Sequence, residues 1–320
     1  MNELKIAELR KECSKLFFCN TINDSFELID IYTEFLYQII MKHHKEPVYN
    51  HADADAKMVV QMMLTKTLHL KNIAKGISYN SKDGTHLNRI VDPTIVASLI
   101  RNIFETIGMF NLIYRHTKTN DEKTILYCLW VYSGLKYRQR FERFASTEAN
   151  IEKMEDEKQQ LNKLVSTIEE TDLYKSLDEK NQKIIKRKIK DKSYLVKFEN
   201  KKVVPLHWQE LTKTIGFKTD LYDNIYTYFS LYSHPSNVAV FQFSDMFNKE
   251  DEIYLKLTNS NLLHYFGLTS VFIADYLKLF PSAQSTFDSL DIRDQIVINF
   301  HNTFLRGYEY SINDSWEIVN

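Results

Sequence analysis

His234 ends a run of aromatic residues, Tyr226, Tyr228, Phe229 and Tyr232, and Pro235 follows it at once. An imidazole fixed at such a corner can move protons near neutral pH. The run from Asp220 to Ser233 reads as a helix, with Thr219 or Asp220 placed to cap it. Pro235 stops that helix, because a proline pushes the preceding residue out of the α region. The same residues have a plain structural reading, in which His234 sits near the last carbonyls as a C-terminal cap favoured by the helix dipole.

A second pair of chemical groups lies far upstream. Arg101 and Glu105 are four residues apart on a helix opened by Asp92-Pro93, so they share a face. As a surface pair they would add only about 0.3–0.5 kcal/mol. If this helix packs against Asp220–Ser233, however, Arg101, Glu105 and His234 meet. The guanidinium would then hold a phosphate or oxyanion, Glu105 would orient the Arg or the His, and His234 would transfer the proton. Tyr228, Tyr232, Ser233 and Ser236 are the candidate substrate contacts around that imidazole. The aromatic set from Tyr222 to Phe243 fits either a base-stacking platform or a helical core.

The elements that must position these groups are helical. The chain has 320 residues, only seven Gly and five Pro, and abundant Leu, Ile, Lys and Glu, which favours long helices. Helical periodicity predicts helices over residues 2–18, 24–45, 50–78, 93–115 and from 120 past Leu135, with 79–92 as a loop. Helices resume over 208–215, 220–233, 261–280 and 287–308. Asp53 and Asp55 suit the positive end of the third helix. The most apolar span, Leu262 to Phe280, carries His264, Asp275 and Lys278, which reads as a buried core helix rather than a membrane segment.

Composition shifts between Thr147 and Lys192, where Glu152, Glu155, Asp156 and Glu157 give way to Lys180, Lys183, Lys186, Arg187, Lys188, Lys190 and Lys192. A narrow apolar stripe there predicts a charged helical hairpin projecting from the core. The lysine run reads as a solvated face or as a contact for RNA phosphates. Residues 194–198 and 202–205 predict a small β-hairpin around Glu199-Asn200. The expected architecture is therefore all-α: a multi-helix bundle from 1–146 and 206–320, with 147–205 inserted.

Net charge is −1, so no global basic field gathers nucleic acid. Cys13, Cys19 and Cys128 form no CxxC pair and, with no secretion signal, read as free thiols of a cytoplasmic protein. His43, His44, His51, Asp53 and Asp55 lack metal-ligand spacing, and no glycine-rich phosphate loop or nucleophile elbow occurs. No cofactor and no metal is expected.

Residues 92–105 together with Tyr228-Phe-Ser-Leu-Tyr-Ser-His-Pro-Ser236 resemble a group of uncharacterised bacterial helical proteins with an R-x-x-x-E helix and a later S-x-x-x-H-P-S turn. That group is similar to the HEPN superfamily (higher eukaryotes and prokaryotes nucleotide-binding). The resemblance covers about 92–116 and 220–243. It implies a helical bundle, often dimeric, and in many members a metal-independent ribonuclease of toxin–antitoxin or phage-defence systems. RNA, an antitoxin and a second copy of the chain are the partners it implies.

One departure bears on activity. Active HEPN ribonucleases carry an Arg with four to six residues between it and the His, and here those positions are Phe229, Tyr228 and Thr227. Either Arg101 supplies the cation from another helix, or the chain is a non-catalytic scaffold or protein-binding module.

Overall fold

A computed structural model of the chain describes residues 3–218, 222, 224–234, 236–247 and 252–319. The expected cap at Thr219 or Asp220 and the stop at Pro235 lie outside the described residues. The fold is mostly helical, as the scarcity of Gly and Pro predicts, and it divides into two compact units. The first comprises 1–110 and 216–320, and the second comprises 111–215. The expected insertion, 147–205, lies within the second unit, which also takes in 111–146 and 206–215 of the expected core.

The first unit begins with α1 (Glu3–Phe18), α2 (Ile22–His43) and α3 (His51–Ala74). Thr21 and Asp24 cap α2 reciprocally, each side chain bonding the other's backbone N–H. Asn50 caps α3 by accepting from the Asp53 N–H at 2.8 Å. Between α3 and the next helix the expected loop is instead a hairpin, β1 (Ile77–Asn80) with β2 (His86–Ile90), paired antiparallel. Gly84, at φ +89°, makes the turn between them. Strands of four and five residues, largely exposed, leave no alternation for sequence periodicity to detect.

α4 (Pro93–Tyr114) starts where Asp92-Pro93 predicts, with Asp92 Oδ1 accepting from the Thr94 N–H at 2.8 Å. Among the described residues α4 is the helix long and apolar enough to cross a membrane, rather than the later Leu262–Phe280 span. Val96, Ile100, Ile103, Phe104, Ile107 and Phe110 are all buried, as in a core helix.

The second unit holds α5 (Asn120–Arg138), α6 (Glu148–Glu170), α7 (Asp172–Ser176), α8 (Glu179–Asp191), the hairpin β3 (Val196–Glu199) with β4 (Lys202–Pro205), and α9 (Leu211–Ile215). The acidic-to-basic segment is helical as expected, and α6 and α8 both pack on α5. The expected hairpin around Glu199-Asn200 forms, with Val196 opposite Pro205 and Glu199 opposite Lys202.

The rest of the first unit is α10 (Ile225–Ser233), α11 (Asn237–Phe247), α12 (Glu252–Leu279), α13 (Gln284–Asp288) and α14 (Ile292–Arg306). Its core is aromatic. Tyr32 of α2 stacks on Phe266 of α12 with centroids 5.9 Å apart, Phe35 meets Phe287 at 5.6 Å, and Phe17 stacks on Phe300 at 3.9 Å. Gly267 lets α12 approach α14, since a Cβ there would lie 2.5 Å from Leu305 Cδ1. Cys13, Cys19 and Cys128 are free and buried.

Candidate functional site

α4 buries one face and turns its polar edge outward. Arg101 and Glu105 lie on that edge, one turn apart, with side chains 18% and 28% exposed. Arg101 Nε donates to Glu105 Oε1 at 3.1 Å, so the carboxylate fixes the guanidinium plane.

α10 brings the imidazole. Ile225, Phe229 and Tyr232 bury its inner face, while Ser230 and Ser233 turn their hydroxyls back onto the carbonyls of Tyr226 and Phe229. His234 leaves the helix at φ −107° and ψ 148°, its N–H still bonded to Ser230 O at 3.2 Å. It is therefore the C-terminal cap through its backbone, as the structural reading expects. Its side chain does something further.

Arg101 Nη1 lies 3.1 Å from His234 Nε2, and Arg101 Nη2 donates to the Tyr226 hydroxyl at 2.6 Å. The guanidinium carbon also stands 4.7 Å from the Tyr226 ring centroid. A guanidinium can only donate, so Nε2 is the acceptor and the ring proton resides on Nδ1. Glu105 from the same helix and His234 from the end of another thus meet at the Arg101 guanidinium.

His234 also borders a cleft of about 400 Å³. Asp92, Thr94 and Ser98 of the α4 start form one wall, and Ala239, Val240 and Phe243 of α11 form another. Tyr232 and Ser233, two of the four candidate substrate contacts, line it beside the imidazole. Tyr232 donates its hydroxyl to Gln242 Oε1 at 2.5 Å. The cleft falls in the size range of small-molecule sites and mixes hydroxyls, one carboxylate and apolar surface.

The other two candidate contacts face elsewhere. Tyr228 donates to Asn261 Oδ1 at 3.0 Å and packs against Phe229, Tyr232 and His264. Burial pushes its phenol up to about 12, so it serves the core. Ser236 Oγ accepts from the Ala239 N–H at 3.1 Å and donates to Leu231 O at 2.7 Å, which makes it the cap of α11.

Two groups at the site are not among the catalytic and substrate-contacting candidates of the sequence: Tyr226, named there only as one of the rings beside His234, and Lys66. Tyr226 is held under the guanidinium, as above. Lys66 of α3 donates from Nζ to Thr106 Oγ1, one residue beyond Glu105. Burial pushes its amine down to about 8, against the pull of Glu105. The signal for Lys66 was its place beside the buried stripe of Val59, Val60, Met63, Thr67 and Leu70. Among the described residues no three His, Cys, Asp or Glu side chains gather so as to hold a metal ion.

The model of a family of unknown function (DUF5677) matches residues 70–253. The chain belongs to this family. The matched span contains Arg101, Glu105, Tyr226 and His234, so the whole constellation except Lys66 lies inside it. No curated protein and no solved structure matches the chain.

Proposed function

We propose that this member of the family is a HEPN-like effector or toxin that cuts RNA without a metal, in a phage-defence setting. The observation that carries the reading is the 3.1 Å contact of Arg101 Nη1 with His234 Nε2. It supplies, from another helix, the cation missing from the segment before the histidine.

The chemistry follows from the groups present. An RNA phosphate entering beside the cleft draws the guanidinium onto its non-bridging oxygens, and His234 Nε2 is released as an acceptor. Nε2 then takes the proton of the ribose 2′-hydroxyl. The 2′-oxygen attacks phosphorus, the bond from phosphorus to the 5′-oxygen breaks, that oxygen takes a proton from water, and His234 gives its proton to the hydroxide so formed. The products are a 2′,3′-cyclic phosphate and a 5′-hydroxyl end. Arg101 stabilises the charge gathering on the phosphoryl oxygens, held in place by Glu105 and Tyr226.

A toxin of this kind acts in the cytoplasm and requires restraint, so a protein antitoxin and a second copy of the chain are the partners this reading brings. The test is RNA cleavage and growth arrest in the presence of EDTA, for the parent and for His234→Ala. Cyclic-phosphate ends from the parent alone support the reading, and identical behaviour of the two ends it.

A non-catalytic protein-binding module is the second reading. It draws on the outer face of α11, where Val238, Val240 and Phe241 are exposed next to the cleft. Phe241→Ser would then abolish partner capture while RNA stayed intact with every variant.

A further inference from the structure

The end of α5 and the turn after it carry a different kind of surface. Residues 136–144 read Lys-Tyr-Arg-Gln-Arg-Phe-Glu-Arg-Phe, with four basic side chains to one acidic. Tyr137, Phe141 and Phe144 are 49%, 61% and 64% exposed, unusual for rings of this size.

The backbone explains why they stand out. Gln139–Phe144 is a 3-10 helix, in which side chains three apart eclipse. Phe141 and Phe144 therefore share one edge, and Arg140 and Arg143 share the next. Gln139 anchors the turn on α6, donating to Met154 O at 3.0 Å and Glu157 Oε2 at 3.1 Å. Arg138 pairs with Glu157, and Glu142 pairs with Lys158 at 2.7 Å. The turn is thus tied to α6, and the rings are left outward.

The cations lie on the rings rather than on carboxylates. Arg143 stands 4.7 Å from the Phe144 centroid, and Arg140 stands 5.9 Å from Tyr137. Lys192, at the end of the lysine-rich α8, lies 5.5 Å from the same Tyr137 ring. Neither Arg140 nor Arg143 forms an ion pair with a described residue. The rise between Phe141 and Phe144 is ~6 Å, near the two ~3.4 Å steps that one inserted base needs.

We infer that residues 136–144, with Lys192, form a docking surface for single-stranded nucleic acid, whose bases stack on Tyr137, Phe141 and Phe144 and whose phosphates meet Arg140, Arg143 and Lys192. A base offers each ring a flat face, and the phosphates meet arginines that form no ion pair with a described carboxylate. The inference concerns the second unit alone and holds whether or not His234 cleaves anything.

The test is fluorescence anisotropy with a fluorescein-labelled 15-nucleotide oligouridine, using the full chain with His234→Ala so that the probe stays uncut. Phe141→Ala with Phe144→Ala should weaken binding about tenfold or more. Arg140→Gln with Arg143→Gln should lower the slope of log affinity against log salt by about 1.4, at ~0.7 for each lost phosphate contact. Ultraviolet cross-links should map to 136–144. Variants that bind like the parent, a parent that prefers duplex of the same length, or a parent that takes anionic phospholipid vesicles and not the oligonucleotide would each overturn it.

Discussion

Arg101 and His234 are 133 positions apart in the chain, yet Nη1 of one stands 3.1 Å from Nε2 of the other. The contact sets the tautomer of the imidazole, because the guanidinium has no lone pair to offer. It also ties the polar edge of α4 to the end of α10, so the cap of one helix becomes the partner of a cation on another.

The guanidinium serves three partners at fixed angles: Glu105, His234 and the Tyr226 hydroxyl. An ammonium cannot reach all three from one position. Arg101→Lys should therefore lose RNA cleavage about as completely as Arg101→Ala, a hundredfold or more. Arg101→Ala should also lower stability modestly, by about 1 kcal/mol in urea unfolding, since the half-buried Glu105 and Tyr226 lose a hydrogen-bond donor. A lysine variant with parental turnover would show that charge alone suffices.

Lys66 gives the fold a pH dependence. Its amine titrates near 8 when folded, against 10.5 for the ordinary side chain, because burial disfavours its charge. Below pH 8 both states carry the proton, and the penalty for burying the cation is felt in full. Between about 8 and 10.5 the unfolded chain holds more protons than the folded one, so this residue's contribution to stability rises with pH. Urea unfolding from pH 7 to 9.5 should show the parent gaining on Lys66→Met as pH climbs. Parallel curves would place the amine in water.

Asp275 and Arg306 form a buried ion pair, Nη1 to Oδ1 at 2.9 Å, each side chain 4% exposed. Arg306 also lies over the Tyr310 ring at 4.2 Å. Removing one charge strands the other, so Asp275→Ala should cost about 3–5 kcal/mol by denaturant unfolding. Asp275→Leu combined with Arg306→Met should recover much of that loss. A small effect of Asp275→Ala alone would mean that water reaches the arginine.

Much of the frame was legible because local signals agreed with the fold. Asp92-Pro93 marks the start of α4, the four-residue spacing of Arg101 and Glu105 sets their shared edge, and Glu199-Asn200 marks the second hairpin. Their meeting with His234 was a conditional expectation, and packing of α4 by α10 fulfils it. The first hairpin was not legible, because strands this short and exposed carry no alternation. α11 was missed for a different reason: Ser236 follows a proline and reads as the end of an element, whereas its hydroxyl begins the next one. The inward turn of Tyr228 and the burial of Lys66 depend on neighbours far along the chain, Asn261 and Thr106, which no local pattern names.

A double-mutant cycle on RNA cleavage in EDTA tests the Arg101–His234 pairing most directly. Rates are measured for the parent, Arg101→Ala, His234→Ala and the combined variant. Groups that act as a unit are non-additive, so the combined variant should be no slower than the worse of the two single ones. Losses that multiply, or a parent that leaves RNA uncut, would contradict a joint catalytic role for the two residues.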